Sequence, residues 1–271
     1  MIKLALYTRK ELKEIGKIVR HELEAKHWGT IAPGTSPSGA ERFYVFDYRA
    51  LGLVTGIYRY KLKDYPISLF YRGQTKDYAV SASLFRKTKN ADERDAAISW
   101  EQKILNELKP HFDPLGTDDE REALAQHYGL HTRFIDIADN IQTAIWFAYD
   151  WQTKAVDKYD DDVGYISILG LPTDDGGLIM DLRQKPSQWL RPHVQQAFVY
   201  RAQNPKKEAG CINRFHIATL VIPRTLMRQW SNYDWIGHDT FYPPASHDAG
   251  LRFWQDAVKV LEDNGHKLDK Y

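Results

Sequence analysis

An arginine stands at the end of an apolar run, with glycine directly behind it: Leu69-Phe70-Tyr71-Arg72-Gly73-Gln74. A strand end that only has to turn uses Gly with Asn, Asp or Pro. Arginine adds a charge that does not titrate and a planar fork that fits phosphate or carboxylate. Arg72 is therefore read as an anion holder, either for a ligand or for a carboxylate of the chain itself. A second concentration of chemistry lies in Ala125–Asp136, where His127, Tyr128, His131, Thr132, Arg133 and Asp136 crowd together. They span a helix end, a glycine turn and a strand, a junction that often holds a site because a rigid element positions a turn. His127 and His131 have metal-like spacing for one helix, but Gly129 between them ends that helix. No third ligand follows at zinc-like spacing, so no metal is expected. The structural alternative is that His127 and Tyr128 pack beneath the next helix while Arg133 pairs with Asp136.

The elements that must carry these residues can be read from pattern. Thr8-Arg-Lys-Glu11 and Thr117-Asp-Asp-Glu120 are capping boxes, which start helices running to about Lys26 and to Gly129. Ala97, Ile98, Ile104, Leu105 and Leu108 recur at helical spacing within Ala91–Leu108. Asp139 and Asn140 cap a helix whose Ile141, Ala144, Ile145, Ala148 and Tyr149 form one apolar face. Strands are expected in RFYVFDY (42–48), YPISLFYRG (65–73), TRFIDI (132–137), VGYISILGL (163–171), QQAFVYRA (195–202) and FHIATLVIP (215–223). A short helix follows Pro223, and a last one runs from about Asp248 to Glu262 with Gly265 just past its end. Trp28–Ala40, rich in Gly, Pro, Ser and Thr, reads as a loop, either a linker behind an N-terminal helical attachment or a flap. Residues 1–45 are accordingly set apart from a main domain at 46–271. Strands and helices mix without strict alternation, so the expected class is α+β, a small mixed sheet with helices around it. In the strand TRFID, Thr132, Phe134 and Asp136 share one side and Arg133 and Ile135 the other.

Bulk properties exclude several classes. The 271 residues carry a net charge of +1 and a single cysteine, Cys211. No global field draws the chain to nucleic acid or membrane, and no internal disulfide forms. No apolar stretch reaches the ~18 residues of a membrane span, and the charged N-terminal region is no signal peptide. A cytoplasmic protein is expected. No G-x-x-x-x-G-K-[ST], G-x-G-x-x-G or G-x-S-x-G sequence occurs, which removes P-loop, dinucleotide-fold and α/β-hydrolase readings.

Four blocks, LFYRGQTKDYAVSASLFRK, ALAQHYGLHTRFIDIADNIQTAIWFAYD, RPHVQQAFVY and DTFYPPASHDAGL, together resemble the FRG domain family. The resemblance covers roughly residues 65–250 and rests on Tyr71-Arg72-Gly73, Gln74, Leu84–Arg86, His127–Gly129, Thr132-Arg133, Asp136 and Ala144–Ala148. In the third block, Ala197 and Val199 stand where the family usually has Gly and Phe, and Ile137-Ala138 replace the usual residues after the Asp. The Tyr-Arg-Gly triplet is in turn similar, more distantly, to the first motif of ADP-ribosyltransferases, and an ADP-ribosyltransferase-like core is what that similarity implies. It implies NAD as substrate, with Arg72 on the pyrophosphate through two charge-assisted bonds. Gly73 would allow close approach of the nicotinamide ribose, and Gln74 would reach a hydroxyl or the carboxamide. Tyr71, Tyr128 and Thr132 complete the cofactor-binding set; Arg72, His127, Asp136 and Gln195 form the catalytic set, in one cleft. Transferases place a Glu on a late strand. Here Gln195 takes that place, with Asp136 or Glu208 supplying charge to an oxocarbenium-like transition state.

Three functions stay open on the residues. The first is an NAD-consuming ADP-ribosyltransferase, a toxin or anti-phage effector acting on a protein or nucleic-acid acceptor and held by a neutralising antitoxin. The second is a metal-independent RNA-cleaving enzyme with His127 and His131 as acid and base. The third is a non-catalytic nucleotide- or nucleic-acid-binding module, with aromatics between basic residues in RPHVQQAFVYRAQNPKK.

Overall fold

The computed structural model describes residues 9–25, 31–35, 40–111, 116–149, 163–172, 177–202, 204, 212–232 and 236–266. In chain order its main elements are α1 (Arg9–Ala25), β1 (Ile31–Thr35), β2 (Glu41–Val45), α2 (Tyr48–Leu62), β3 (Ile67–Gln74), α3 (Ala91–Leu108), α4 (Asp118–His127), β4 (Ile135–Ala138), α5 (Ile141–Tyr149), β5 (Val163–Pro172), β6 (Leu178–Asp181), α6 (Leu190–Val194), β7 (Ala197–Arg201), β8 (His216–Pro223), α7 (Arg224–Trp230), α8 (His238–Phe241) and α9 (Ala249–Asp263). The fold is α+β, as the irregular mixture of strand and helix patterns requires. Two compact units share the chain. One gathers Met1–Val80, Ile137–Gly176 and Ile212–Ile236; the other gathers Ser81–Asp136, Gly177–Cys211 and Gly237–Tyr271.

The first unit is built on a mixed sheet. β5, an uncharged run buried along most of its length, lies antiparallel between β3 and β8. β8 pairs in parallel with β2, and β2 antiparallel with β1. Tyr71 of β3 pairs with Ala138, the last residue of β4. α1 packs on β2, β8 and α2, while α5 packs on β3, β5 and α7. Residues 1–45 therefore belong to the unit that holds β3, and the boundary expected after residue 45 falls inside it. The expected loop at 28–40 contains a strand: Ile31–Thr35 tolerates Pro33 because β1 has β2 as its sole partner among the described residues. The strand expected through Tyr48 stops at Val45, because Asp47 turns to accept a bond from Arg49 N at 2.7 Å and caps α2.

Gly73 has a structural reason at this point. A Cβ there would stand 1.9 Å from the Ala144 carbonyl oxygen and 2.7 Å from the Ala148 nitrogen of α5. The close approach that the glycine permits is that of the α5 backbone, not of a nicotinamide ribose. Gly73→Ala is expected to cost at least the ~1–3 kcal/mol usual for overpacking, since backbone on both sides cannot yield. A denaturant midpoint unchanged from wild type would show that β3 and α5 separate easily.

The second unit packs α3, α4, α6 and α9 around one apolar cluster that includes Ile104, Leu108, Leu124, Tyr128, Trp189, Trp254 and Leu261. β6 and β7 pair antiparallel, and Val199 and Ala197 join Phe134, Leu182 and Ala123 in a second cluster. Both halves of the Thr117–Glu120 capping box form, at 3.2 and 2.8 Å, and Gly129 has φ +115° as the helix terminator. This fixes where α4 ends, and hence where His127 stands. Among the described residues no helix is long and apolar enough to cross a membrane.

Candidate functional site

α4 delivers Gln126 and His127 at its last turn, and β4 delivers Asp136. α6 ends at Gln195, whose successor Gln196 has a left-handed φ of +47°, an uncommon conformation for a residue with a side chain. That turn starts β7 and leaves the Gln195 amide buried. Gln195 Nε2 donates to the Phe241 carbonyl at 2.7 Å, so its Oε1 faces His127 Nδ1 at 3.1 Å. An amide oxygen only accepts, so the Nδ1 position carries the imidazole proton. The Nε2 lone pair then lies 3.4 Å from Asp136 Oδ1. Burial, with only 5 % of the His127 side chain exposed, pushes its pKa down, against the opposing pull of Asp136. The result is a neutral imidazole in one tautomer with its basic nitrogen beside a carboxylate.

Asp136 is oriented in the same way. Gln126 Nε2 donates to Asp136 Oδ1 at 2.6 Å, Thr132 donates its hydroxyl to Gln126 Oε1, and Phe134 N donates to Thr132 Oγ1 at 3.1 Å. The Asp136 side chain is 44 % exposed, so the constellation meets solvent at its carboxylate. His127, Asp136 and Gln195, far apart in sequence, are thus brought together inside one unit. Gln126, which sequence reasoning passed over, holds the carboxylate in place; its only sequence signal is its position directly before His127.

The rest of the expected binding set divides. Thr132 is fully buried with its hydroxyl used in the relay, and it precedes β4 rather than lying in it, so it is an internal strut and not a ribose contact. The strand expected over 132–137 begins only at Ile135. Tyr128 is buried, and its hydroxyl donates to both oxygens of Asp248 at 3.0 and 2.9 Å. Asp248 in turn caps α9 through Leu251 N. Tyr71 is likewise buried, and burial raises the pKa of its hydroxyl against the opposing charge of Arg59. Arg133 does not pair with Asp136. It lies between the buried carboxylates of Glu101 (Nε to Oε2, 2.7 Å) and Glu122 (2.5 Å), and Arg201 reaches Glu122 at 3.0 Å. His131 lies beyond the Gly129 turn, off α4. Among the described residues no group of His, Cys, Asp and Glu could hold a metal ion. Glu208 and Cys211 lie outside the described residues.

Arg72 belongs to the first unit. Strand alternation puts Arg72 and Gln74 on the face opposite Tyr71 and Gly73. Its cross-strand neighbour on β5 is Ser167, followed by Thr219 on β8 and Arg42 on β2. Gln74 is opposite Tyr165, and Ser167 Oγ approaches Gln74 Oε1 at 3.5 Å. Arg42 pairs with Asp77. This face is a polar row across an otherwise apolar sheet.

An α+β chain with an oriented, neutral histidine beside a carboxylate is the class that fold and site define. Residues 68–157, the stretch holding Tyr71–Gly73 and His127–Asp136, match the FRG domain model. No curated protein and no solved structure matches the chain.

Proposed function

We propose that the chain is an NAD-consuming ADP-ribosyltransferase that cleaves the nicotinamide–ribose bond and transfers ADP-ribose to a protein or nucleic-acid acceptor. The observation that carries this reading is the His127–Asp136–Gln195 constellation. Departure of nicotinamide leaves positive charge on the ribose, and a fixed carboxylate answers that charge. The acceptor must lose a proton as it attacks, and His127 Nε2, neutral and held in one tautomer, can take it. Gln195 has the orienting role, in place of the late-strand Glu of other transferases. Arg72 supports the same reading as a fork on a polar sheet face, suited to pyrophosphate. A role as a toxin or anti-phage effector with an antitoxin accords with such chemistry.

Incubation of purified protein with NAD labelled in the adenosine moiety, with and without cell lysate, tests this. Nicotinamide release, with label entering protein or nucleic acid, is the expected result; NAD left intact in both arms overturns it. Arg72→Lys should retain the fold but lower NAD affinity at least about tenfold, ~1.4 kcal/mol, because an ammonium cannot reproduce the two parallel bonds. Unchanged turnover at an unchanged Tm would reduce Arg72 to a partner for a carboxylate of the chain.

A further inference from the structure

The second unit half-buries a cation that the mechanism above does not use. Arg191 lies at the start of α6 with its guanidinium between two aromatic rings, 4.9 Å from the Tyr128 centroid and 5.1 Å from that of Tyr242. One Nη donates to the carbonyl of His127 at 3.0 Å. Its Nε is buried without a hydrogen-bond partner, and no carboxylate forms an ion pair with it among the described residues. Asp248, the carboxylate whose charge acts on it, is bonded to the Tyr128 hydroxyl and to Leu190 N and Leu251 N. The other arginines of this unit that line the core behave differently: Arg133 and Arg201 each meet buried carboxylates.

Removing part of a charge from water without an ion-paired carboxylate is costly, and proteins ordinarily pair such a group. Two tyrosine faces return part of that cost, and one carbonyl bond adds a little more. Neither requires arginine at this position. We propose that Arg191 is an anion-binding residue of the His127–Asp136 site and takes a phosphate oxygen of the ligand. The geometry places it correctly, because it is bonded to the backbone of the very residue that carries the imidazole. Burial lowers the Arg191 pKa, yet guanidinium stays charged at any physiological pH. Its charge is felt at His127, where it opposes protonation, as Asp136 favours it. It is felt also at His238, which stacks on Tyr242 at 5.0 Å. An incoming phosphate would neutralise that charge and raise the basicity of His127 Nε2, so ligand binding would switch on the base. This rests on the reading of the site as one that handles a nucleotide, and it adds the phosphate-binding residue within the same unit.

The test uses the full chain and two probes, inorganic pyrophosphate and ADP-ribose, with calorimetric binding and Tm measured for wild type, Arg191→Met and Arg191→Lys. Wild type should bind both probes and gain Tm with them. Arg191→Met should bind each at least tenfold more weakly, while its Tm without anion is equal to or above wild type, since a desolvated charge has been removed. Arg191→Lys should lie between the two and serves if the methionine variant does not fold. Three results overturn the proposal: neither probe binding to wild type, affinity unchanged in both variants, or a large fall in anion-free Tm with binding intact. The last outcome would make Arg191 a structural clamp on the end of α4. Arg191-dependent pyrophosphate binding in a protein that leaves NAD intact would retain this proposal and discard the transferase.

Discussion

If the chain cleaves NAD as proposed, Asp136→Asn is expected to lower nicotinamide release about 100-fold or more, the size expected when a group placed on developing charge is removed, and to leave the Tm close to wild type. The two effects separate because the structure gives Asp136 two different surroundings. Toward the protein, its Oδ1 accepts from Gln126 Nε2 at 2.6 Å, and an asparagine oxygen accepts the same bond. With 44 % of the side chain exposed, the carboxamide stays in contact with solvent. Toward the site, the substitution removes the negative charge 3.4 Å from His127 Nε2. In the proposed reaction the ribose cation would lose its counter-charge, and the imidazolium formed as the acceptor gives up its proton would lose its stabiliser. The pH profile carries a second signature. Burial holds the His127 pKa below its ordinary 6.5, and Asp136 is what opposes that fall. The acid limb of activity therefore lies below pH 6.5 in wild type and moves further toward acid in Asp136→Asn. Nicotinamide release across pH 5–8, beside thermal melts, measures both. A variant that melts early, or retains full turnover, removes Asp136 from the chemistry.

Arg133→Ala is expected to do the reverse and lose stability, by ~3–5 kcal/mol, the range for breaking a buried ion pair from one side. Glu101 and Glu122 are 0 % and 1 % exposed. Glu122 would retain Arg201, but Glu101 would lose the guanidinium 2.7 Å away and the counter-charge it supplies. Burial first, and then the charge of Glu122, already hold the Glu101 carboxyl above the usual carboxylate range. A carboxyl whose folded pKa is raised contributes stability that is complete below its unfolded value of about 4.5 and is lost as pH rises through the folded one. Removing Arg133 raises it further. Wild type and variant therefore diverge only above the wild-type Glu101 value of about 9, and the deficit of Arg133→Ala should be larger at about pH 10 than at about pH 6, which urea denaturation at the two values measures. An Arg133→Ala protein that melts normally yet releases no nicotinamide would move Arg133 into the site.

Local signals determined much of this protein in the sequence alone. The Thr117–Glu120 capping box and Gly129 set both ends of α4, because capping groups and a left-handed glycine act within a few residues. Asn140 before the apolar face of α5 and Asp248 before α9 worked likewise, as Thr143 N and Leu251 N both find their caps. The uncharged run of β5 could only be a buried strand. His127, Asp136 and Gln195 were legible as reactive types, and so was the FRG stretch. What they do to one another was not legible. The tautomer of His127 depends on an amide 68 residues away, itself fixed by a carbonyl 46 residues further on. The role of Gly73 depended on a helix backbone that sequence spacing cannot place. Thr132 read as a ribose hydroxyl contact because exposure is a tertiary quantity; folding buried it and used its hydroxyl to orient Gln126. Arg191 read as one basic residue among several in its segment. Only the packed unit showed a half-buried guanidinium without an ion-paired carboxylate, since desolvation and pairing depend on distances that the linear chain does not contain.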